Sequence, residues 1–312
     1  MIPLPKDISM KRVILLIAFM QISMVSYSQD PARESFGRAV EFKKNGKYAE
    51  ALIEYDNVLR IRPEFVSALI NRANLKSLLN DGKGAIADLD KAEGINDKEP
   101  DIYYNRGNAK HDMGMFTEAI IDFDKAVIRK EHEDYFLARG NSKKAIGLYE
   151  NAILDYTKAI SFQSNFVNAF YNRGNAKQKT GDFLGAIKDY TKALELDPKK
   201  IAAYMNRGNA NIKLEKFKQA IYNFDIYIEI NPNNPIAYSN RGIANGDLKN
   251  YTEATNDYTR SIEIDSNNPE AYFGRAGINH KVGDKEAECS DLKKAAELGL
   301  VRAENIYEKY CE

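Results

Sequence analysis

The 312-residue sequence contains no tryptophan, two cysteines and three histidines, and neither charge is in excess, since 45 basic residues balance 45 acidic ones. A nucleic-acid-binding protein normally carries a basic excess that neutralises phosphates, so the zero net charge argues against that class. Two cysteines exclude a disulfide-rich scaffold, and three scattered histidines are poor material for a zinc site. The 9 prolines and 19 glycines exclude a collagen-like or low-complexity chain. Hydrophobic residues make up 44% of the chain, which is enough to build a core.

Motifs for catalysis are missing as well. The sequence contains no HExxH pair, no phosphate-binding glycine-rich loop and no GxSxG nucleophile motif. His111, His132 and His280 show no spacing typical of a metal site or a catalytic pair. We therefore expect a protein that is not an enzyme and that holds no metal or cofactor.

A long hydrophobic run is also missing, but the N-terminal segment has a short one. The basic pair Lys11–Arg12 precedes an interrupted apolar run over residues 13–25, and small residues follow at 26–28. This order is typical of a secretory signal peptide, and the run is shorter than the roughly 20 residues that a membrane span needs. We expect residues 1–28 to be a cleaved signal peptide and residues 29–31 a short lead-in. The mature protein would then be exported, either periplasmic or secreted, and an uncleaved membrane anchor is the alternative.

The strongest pattern in the sequence is an internal repeat of 33 or 34 residues, marked by an arginine in each copy. Chance does not hold such a register over eight copies, so the period defines the organisation of the chain. The arginines are Arg38, Arg72, Arg106, Arg139, Arg173, Arg207, Arg241 and Arg275. The blocks cover residues 32–65, 66–99, 100–132, 133–166, 167–200, 201–234, 235–268 and 269–302.

Each block predicts two antiparallel helices. In the block 201–234, apolar residues recur at helical spacing on both sides of a turn near Glu215, and Pro232 ends the second helix. A small residue follows each arginine, which lets the two helices of a block approach closely. One such helix pair cannot bury its own apolar faces, so neighbouring pairs must stack.

The repeat resembles the tetratricopeptide repeat family, whose 34-residue unit has a bulky residue, Gly, Ala, an aromatic residue and Pro at set offsets. The resemblance covers residues 32 to about 302, although the family's Leu before the Gly is Arg here. It implies an all-α fold, namely an α-solenoid that forms a right-handed superhelix of antiparallel helix pairs. Residues 301–312 are predicted to form a C-terminal capping helix and tail. The matching residues in the sixth block are Tyr204, Gly208, Ala220, Phe224 and Pro232.

An acidic residue follows each repeated arginine after sixteen residues, except in the sixth block, where Asn223 takes its place. In an antiparallel helix pair these two positions lie at the same height, so we predict an ion pair inside each repeat. The alternative is that the arginines face a ligand. The predicted pairs are Arg72 with Asp88, Arg106 with Asp122, Arg139 with Asp155, Arg173 with Asp189, Arg241 with Asp257, and Arg275 with Asp291. A further row, Lys110, Lys143 and Lys177, is expected to be a solvated stripe.

Asparagine recurs directly before the arginine and two residues after it, so that both sets share one face of the first helix. Asparagine is a mediocre helix former, and its repetition needs a reason. In the family, first helices line a concave groove, and the resemblance implies that these amides grip an extended peptide, since a carboxamide offers both a donor and an acceptor. Bulky neighbours would receive apolar side chains of that peptide. The groove residues are Asn71, Asn74, Asn105, Asn108, Asn141, Asn172, Asn175, Asn206, Asn209 and Asn240, with Tyr104, Tyr171 and Met205.

Two readings of this face remain open. In the first, the protein is a scaffold or adaptor that binds a protein or peptide partner in the groove, without nucleic acid and without a membrane span after signal cleavage. In the second, the aromatic residues and asparagines only pack first helices together, and the protein is a self-associating structural solenoid without a groove ligand. The subtype of the family that clamps a C-terminal carboxylate is not matched, because Tyr104 and Tyr171 stand where that subtype has Lys.

The two cysteines lie near the end of the chain. Cys289 falls on the second helix of the last repeat, and Cys311 falls on the predicted capping helix. In an exported protein they could form a disulfide that fastens the cap. Two unpaired thiols are the alternative.

The predicted export can be tested on the native protein. We expect signal cleavage after Ser28, so that intact-mass and N-terminal peptide measurements find a chain beginning at Gln29. Recovery of Met1 or Met10 at the N-terminus of the purified native protein would contradict export with cleavage.

Overall fold

The computed structural model describes residues 30–312, and this part of the chain folds into 17 helices without a strand. The predicted signal peptide lies outside the described residues. The expectation of an all-α fold is confirmed. The helices are α1 Pro31–Lys44, α2 Tyr48–Ile61, α3 Val66–Leu78, α4 Gly82–Ile95, α5 Pro100–Asp112, α6 Phe116–Arg129, α7 Glu133–Ala145, α8 Tyr149–Phe162, α9 Val167–Lys179, α10 Phe183–Leu196, α11 Ile201–Lys213, α12 Phe217–Ile230, α13 Pro235–Asp247, α14 Tyr251–Ile264, α15 Pro269–Val282, α16 Lys285–Glu297 and α17 Val301–Tyr310.

The helices form pairs, because each odd-numbered helix from α1 to α15 packs against the even-numbered helix that follows it. The chain divides into two compact units, the first ending at Glu131 and the second covering His132–Glu312. The first unit contains the pairs from α1 to α6, and the second contains the pairs from α7 to α16 together with α17. Within each unit every pair stacks on the next, as in a solenoid.

First helices of neighbouring pairs also touch each other directly within the second unit, from α7 through α9, α11 and α13 to α15. Their exposed sides therefore form a continuous surface, which we call the first-helix face. Position in the repeat decides which residues reach it, because residues three and four apart share one side of a helix.

Close packing inside a pair depends on the small residue after each repeated arginine. A Cβ atom added to Gly174 on α9 would lie 2.7 Å from Cε1 of Tyr190 on α10, well inside van der Waals contact. The same position in α11, Gly208, would meet the ring of Phe224 at 2.6 Å. The aromatic ring of the second helix thus lies directly on the backbone of the first, and both rings are fully buried.

The repeated arginine holds two neighbouring pairs together. Arg173 on α9 donates from Nε and Nη2 to the carboxylate of Asp189 on α10, at 2.9 and 2.7 Å. Its remaining nitrogen, Nη1, donates to Oγ1 of Thr157 on α8, at 3.0 Å. One guanidinium therefore links its own second helix to the second helix of the preceding pair. The spacing in the sequence predicts the contact with Asp189 but not the contact with Thr157.

The structure brings every predicted arginine and acid together. The Asp carboxylates are at most 8% exposed, and each accepts a two-pronged contact from its arginine, the geometry that suits a guanidinium best. The additional contact to the preceding pair also recurs, with Arg72 bonding Asp56 at 2.6 Å and Arg241 bonding Asp225 at 2.7 Å. In the first pair, Arg38 makes the contact within its own repeat, donating from Nε and Nη2 to the carboxylate of Glu54.

The expectation that the lysine row is a solvated stripe is wrong. The ammonium groups of Lys110, Lys143 and Lys177 lie 2.6 to 2.8 Å from the same buried carboxylates that the arginines bind. The reason is geometric: a residue four positions after the arginine lies one helical turn further along the same face, within reach of the second oxygen of that carboxylate.

The sixth block shows how the charges depend on one another. Asn223 replaces the acid and accepts from Nε of Arg207 at 2.7 Å, and Asn211 stands where the second to fifth blocks have lysine. The last two blocks also have asparagine there, and Asn245 and Asn279 donate to the retained Asp257 and Asp291 at 3.0 and 3.1 Å. Burial lowers the pKa of Arg207, because this neutral partner does not offset the lost hydration. In Arg275 the hydrogen bond to Asp291 raises the guanidinium pKa instead. The sixth block thus lacks both the acid and the second cation, and in the eight blocks this position holds lysine only where the acid is present.

The C-terminal helix α17 covers the last pair. Its buried Ala303 and partly buried Ile306 and Tyr307 pack against Leu292 and Ala276 of α16 and α15. Cys289 and Cys311 are joined by a disulfide with their Cα atoms 5.6 Å apart, which fastens the end of α17 to α16.

The stabilising role of the arginine contact is testable with Arg173→Ala. We expect the free energy of unfolding to fall by about 3 kcal/mol, because Asp189 would remain buried with Lys177 as its single cation. Urea denaturation followed by circular dichroism measures this change. The control is Lys192→Ala, which removes an exposed ion pair with Glu195 and should cost less than about 1 kcal/mol. Unchanged stability in Arg173→Ala would favour the reading in which the arginines face a ligand.

The disulfide gives a second prediction. The denatured, unreduced protein should contain no free thiol, and reduction should release two. Because the bond closes a loop of 22 residues, reduction should lower the stability of the last helix pair and its cap by about 3 kcal/mol. Thiol titration and urea denaturation with and without reductant measure the two effects. Two reactive thiols before reduction would contradict the bond.

Candidate functional site

Three pairs of asparagines connect neighbouring first helices in the second unit. Nδ2 of Asn172 donates to Oδ1 of Asn141 at 3.0 Å, and Asn206 donates to Asn175 in the same way at 2.8 Å. Asn240 repeats the contact with Asn209 at 2.9 Å. We call these six residues the asparagine ladder. In all three pairs the donor comes from the later repeat.

Two buried tyrosines fix the orientation of the ladder amides. The hydroxyl groups of Tyr156 and Tyr190 donate to Oδ1 of Asn141 and Asn175, at 2.9 and 2.8 Å. Burial raises the pKa of both tyrosines, so their hydroxyl groups keep the proton that they donate. Oδ1 of Asn141 thus accepts two hydrogen bonds, whereas Oδ1 of Asn175 accepts one from Asn206 and shares the single hydroxyl proton of Tyr190 with Oε1 of Gln178, 2.9 Å away. The Nδ2 group of each of these two amides is directed elsewhere.

The ladder leaves hydrogen-bonding capacity on its accessible side. Among the described residues, the Nδ2 groups of Asn141, Asn175 and Asn209 have no acceptor, and neither Oδ1 of Asn206 nor Oδ1 of Asn240 has a donor. All six ladder residues are partly exposed. Each step therefore presents an N–H donor from one repeat beside a carbonyl oxygen from the next, except that Oδ1 of Asn172 accepts from Lys144.

The first unit does not continue this arrangement. Nδ2 of Asn71 donates to the carbonyl of Ser67 at 2.9 Å, and Nδ2 of Asn105 donates to the carbonyl of Asp101 at 2.7 Å. Both amides are thus bound within their own helices, and Asn74 and Asn108 are partly exposed on the same helices. Of the ten asparagines predicted for the groove, the structure joins six into a ladder.

The predicted bulky residues lie directly beside the asparagines. Nδ2 of Asn206 is 3.1 Å from the hydroxyl of Tyr171, and Nδ2 of Asn240 is 3.9 Å from Sδ of Met205. The ring of Tyr104 packs 6.1 Å from that of Phe123. All three bulky side chains are partly exposed, so they both pack under the amides and contribute to the surface.

The ladder ends where the repeat pattern changes. Ile243 and Gly274 occupy the positions that would form the next asparagine pair, and two adjoining pockets open there. One has a volume of about 530 Å³ and is bordered by Ile236 and Ile243, the former 58% exposed. The other has a volume of about 500 Å³ and is lined by Leu292, Ile306 and Tyr310. Phe273 lines both pockets.

The bulky groove residues predicted from the sequence were Tyr104, Tyr171 and Met205, and the isoleucines and the residues of α17 that line these pockets were missed. The signal that could have found them is the break in the asparagine register, since Ile243 replaces an amide in a repeat that otherwise keeps the pattern. The side chains from α17 could not be placed in this way, because the capping helix lacks the repeat motif.

Within residues 30–312 no group of three or more metal-ligating side chains comes together. The same part of the chain contains no helix whose length and hydrophobicity would let it cross a membrane. Of the histidines, His280 lies 3.1 Å from the carboxylate of Glu288 beside the second pocket.

The sequence matches three models of one family. Models described as tetratricopeptide repeat match residues 167–200 and residues 100–129 and 236–268, and a model described as TPR repeat matches residues 140–181. No curated protein matches the chain in sequence.

Solved structures share the fold. A tetratricopeptide repeat protein from Parabacteroides merdae is 19% identical with a TM-score of 0.56, over 79% of this chain and 99% of that one. The C-terminal part of a TPR repeat-containing protein from Cytophaga hutchinsonii is 21% identical with a TM-score of 0.63, over 77% and 98%. YrrB, described as a TPR protein with an unusual peptide-binding site, is 26% identical with a TM-score of 0.53, over 59% and 95%. Together with the stacked helix pairs, these matches confirm the resemblance found in the sequence: the chain belongs to the tetratricopeptide repeat family, whose members are generally non-enzymatic scaffolds for protein–protein interaction.

Proposed function

We propose that the protein is a scaffold or adaptor that binds an extended segment of another protein on the first-helix face of its second unit. The observation that carries the proposal is the common orientation of the three ladder pairs. Each pair leaves an N–H donor without an acceptor among the described residues, and the pairs of Asn206 and Asn240 also leave a carbonyl oxygen without a donor.

This combination suits a peptide backbone. A peptide unit offers one C=O acceptor and one N–H donor, whatever its side chain, so an amide that presents both groups binds the chain without reading its sequence. Each such hydrogen bond contributes about 1 kcal/mol. Useful affinity therefore requires several of them along one segment, and a row of pairs repeated along adjacent helices supplies them.

The two pockets beyond Asn240 add a different kind of contact. Ile236, Ile243, Phe273 and Leu292 present apolar surface in a concave site, and burying a bulky apolar side chain there would contribute about 1.5–3 kcal/mol. We assign to these pockets the side-chain preference that the ladder cannot provide. The description of YrrB as having an unusual peptide-binding site supports peptide binding by a protein of this fold.

We also propose that the protein is exported. The supporting observations are the signal-like sequence at residues 1–28 and the disulfide between Cys289 and Cys311, since disulfides persist in oxidising compartments.

Self-association is the second candidate function. The second helices carry exposed apolar side chains away from the ladder, among them Leu154, 67% exposed, and Tyr222, 61% exposed. Light scattering over a range of protein concentrations separates the two functions, because a persistent monomer favours the binding of a separate partner.

Peptide binding is tested by changing Asn172, Asn206 and Asn240 to Ala together. We expect the purified protein to bind a subset of peptides on an array of random dodecapeptides. The triple variant should bind them at least about thirtyfold more weakly, since it removes the available carbonyl oxygens of Asn206 and Asn240, about 1 kcal/mol each, and the hydrogen bonds that orient their partner amides.

The chain offers a matched control in Asn71, Asn74 and Asn105, which hold equivalent repeat positions but lie outside the ladder. Changing these three to Ala should leave binding unchanged. Equal binding by the ladder variant and the wild type would reject the ladder as a binding device, and a wild type that binds no peptide would reject the proposed function.

A further inference from the structure

Two lysine side chains reach the same side of α9 from the first helices on either side of it. Nζ of Lys144, on α7, donates to Oδ1 of Asn172 at 3.3 Å. Nζ of Lys200, the residue that precedes α11, donates to Oδ1 of Asn168 at 2.9 Å. Asn168 and Asn172 are four residues apart, one turn of the same helix, so the two ammonium groups lie along one side of it.

Neither ammonium group is neutralised. Within residues 30–312, the contacts of Lys144 and Lys200 are to amide oxygens and an aromatic ring, and none is to a carboxylate. The lysines of the repeated ion pairs differ, since Lys143 and Lys177 each bind a buried Asp at 2.8 Å. The lysines that hold the helices together are thus paired with acids. Lys144 and Lys200 are not, and they place two positive charges beside Asn168 and Asn172 on α9.

The two lysines are also partly withdrawn from water. Both are partly buried, and burial lowers the pKa of Lys144 because its ammonium group loses hydration without gaining an opposite charge. Lys200 lies with Nζ 5.0 Å from the ring centre of Tyr171. A carboxylate arriving here would replace the missing charge, and partial desolvation would strengthen the attraction.

The neighbouring ladder groups suit the same ligand. Asn141, which pairs with Asn172, has an Nδ2 group without an acceptor among the described residues. The site therefore offers two ammonium groups and an amide donor, and every one of these groups favours an acceptor that carries negative charge.

We propose that Lys144 and Lys200 bind carboxylate groups of the segment that lies on the ladder, so that the partner of this protein is an acidic peptide. The inference rests on the proposed function, because it assumes that the ladder binds an extended chain. The carboxylates can belong to Asp and Glu side chains or to the C-terminus of the peptide.

The test uses an array of random dodecapeptides, each synthesised with a free and with an amidated C-terminus. We expect the peptides bound by the wild type to be enriched in Asp and Glu. Enrichment that persists in the amidated set identifies side-chain carboxylates as the ligand, and binding confined to the free set identifies the terminal carboxylate. This measurement needs no variant.

A double variant, Lys144→Met with Lys200→Met, then measures the contribution of the site by fluorescence anisotropy. We expect the selected acidic peptides to bind at least about tenfold more weakly and their Asn- and Gln-substituted analogues to change by less than about twofold. The matched control is Lys188→Met with Lys218→Met, which removes the same charge from exposed positions on α10 and α12. The control should leave both affinities unchanged.

The contrary outcomes are distinct. Peptides bound by the wild type without an acidic preference would overturn this inference and leave the ladder function intact. An equal loss of affinity in the control variant would reduce the effect to net charge and would also overturn it. A wild type that binds no peptide at all would overturn the proposed function together with the inference.

Discussion

The structure depends on a carboxylate buried between the helices of six of the eight pairs. A buried charge is costly unless it is paired and hydrogen-bonded. Here an arginine contacts it through Nε and Nη2, and the remaining nitrogen, Nη1, reaches the preceding pair. For Arg173 the three contacts, to Asp189 and Thr157, lie between 2.7 and 3.0 Å. The contact that neutralises the charge thus also sets the position of one repeat on the next.

This constraint explains why the ladder can exist. A hydrogen bond between two asparagine side chains requires that their helices keep the same relative position in every repeat, within a few tenths of an ångström. The three ladder distances, 3.0, 2.8 and 2.9 Å, show such a constant relation. Arg173 and the ladder asparagines therefore act together. Arg173 fixes the relative position of neighbouring helix pairs, and the asparagines can bond one another because that position is constant.

The sequence predicted the helix pairs and the arginine contacts within one repeat, but not the lysines that bind the same carboxylates. Helix pairs follow from the period, and the pairing of Arg173 with Asp189 follows from their spacing. Contacts between repeats were missed, because they depend on stacking geometry that a period does not contain. The word Asn-Arg-Gly-Asn occurs at 105–108 and at 172–175, yet Asn105 bonds its own helix and Asn172 bonds its neighbour. The amide of Asn105 bonds a carbonyl of its own helix, and the amide of Asn172 bonds the asparagine of the neighbouring helix. The identical local sequence does not reveal which of these acceptors the amide will take.

The pairing of charges also distinguishes the lysines that stabilise the fold from those of the candidate site. Zero net charge describes the whole chain, but lysines that serve the fold are matched one by one with buried acids, as Lys177 is with Asp189. Where the acid is lost at Asn223, the nearby cation is lost as well, since Asn211 stands in its place. Asn245 and Asn279 take the same position beside the retained Asp257 and Asp291, so this lysine occurs only together with its acid. Lys144 and Lys200 contribute nothing to that balance, so their partly buried charges are best explained by an anion that comes from outside the chain.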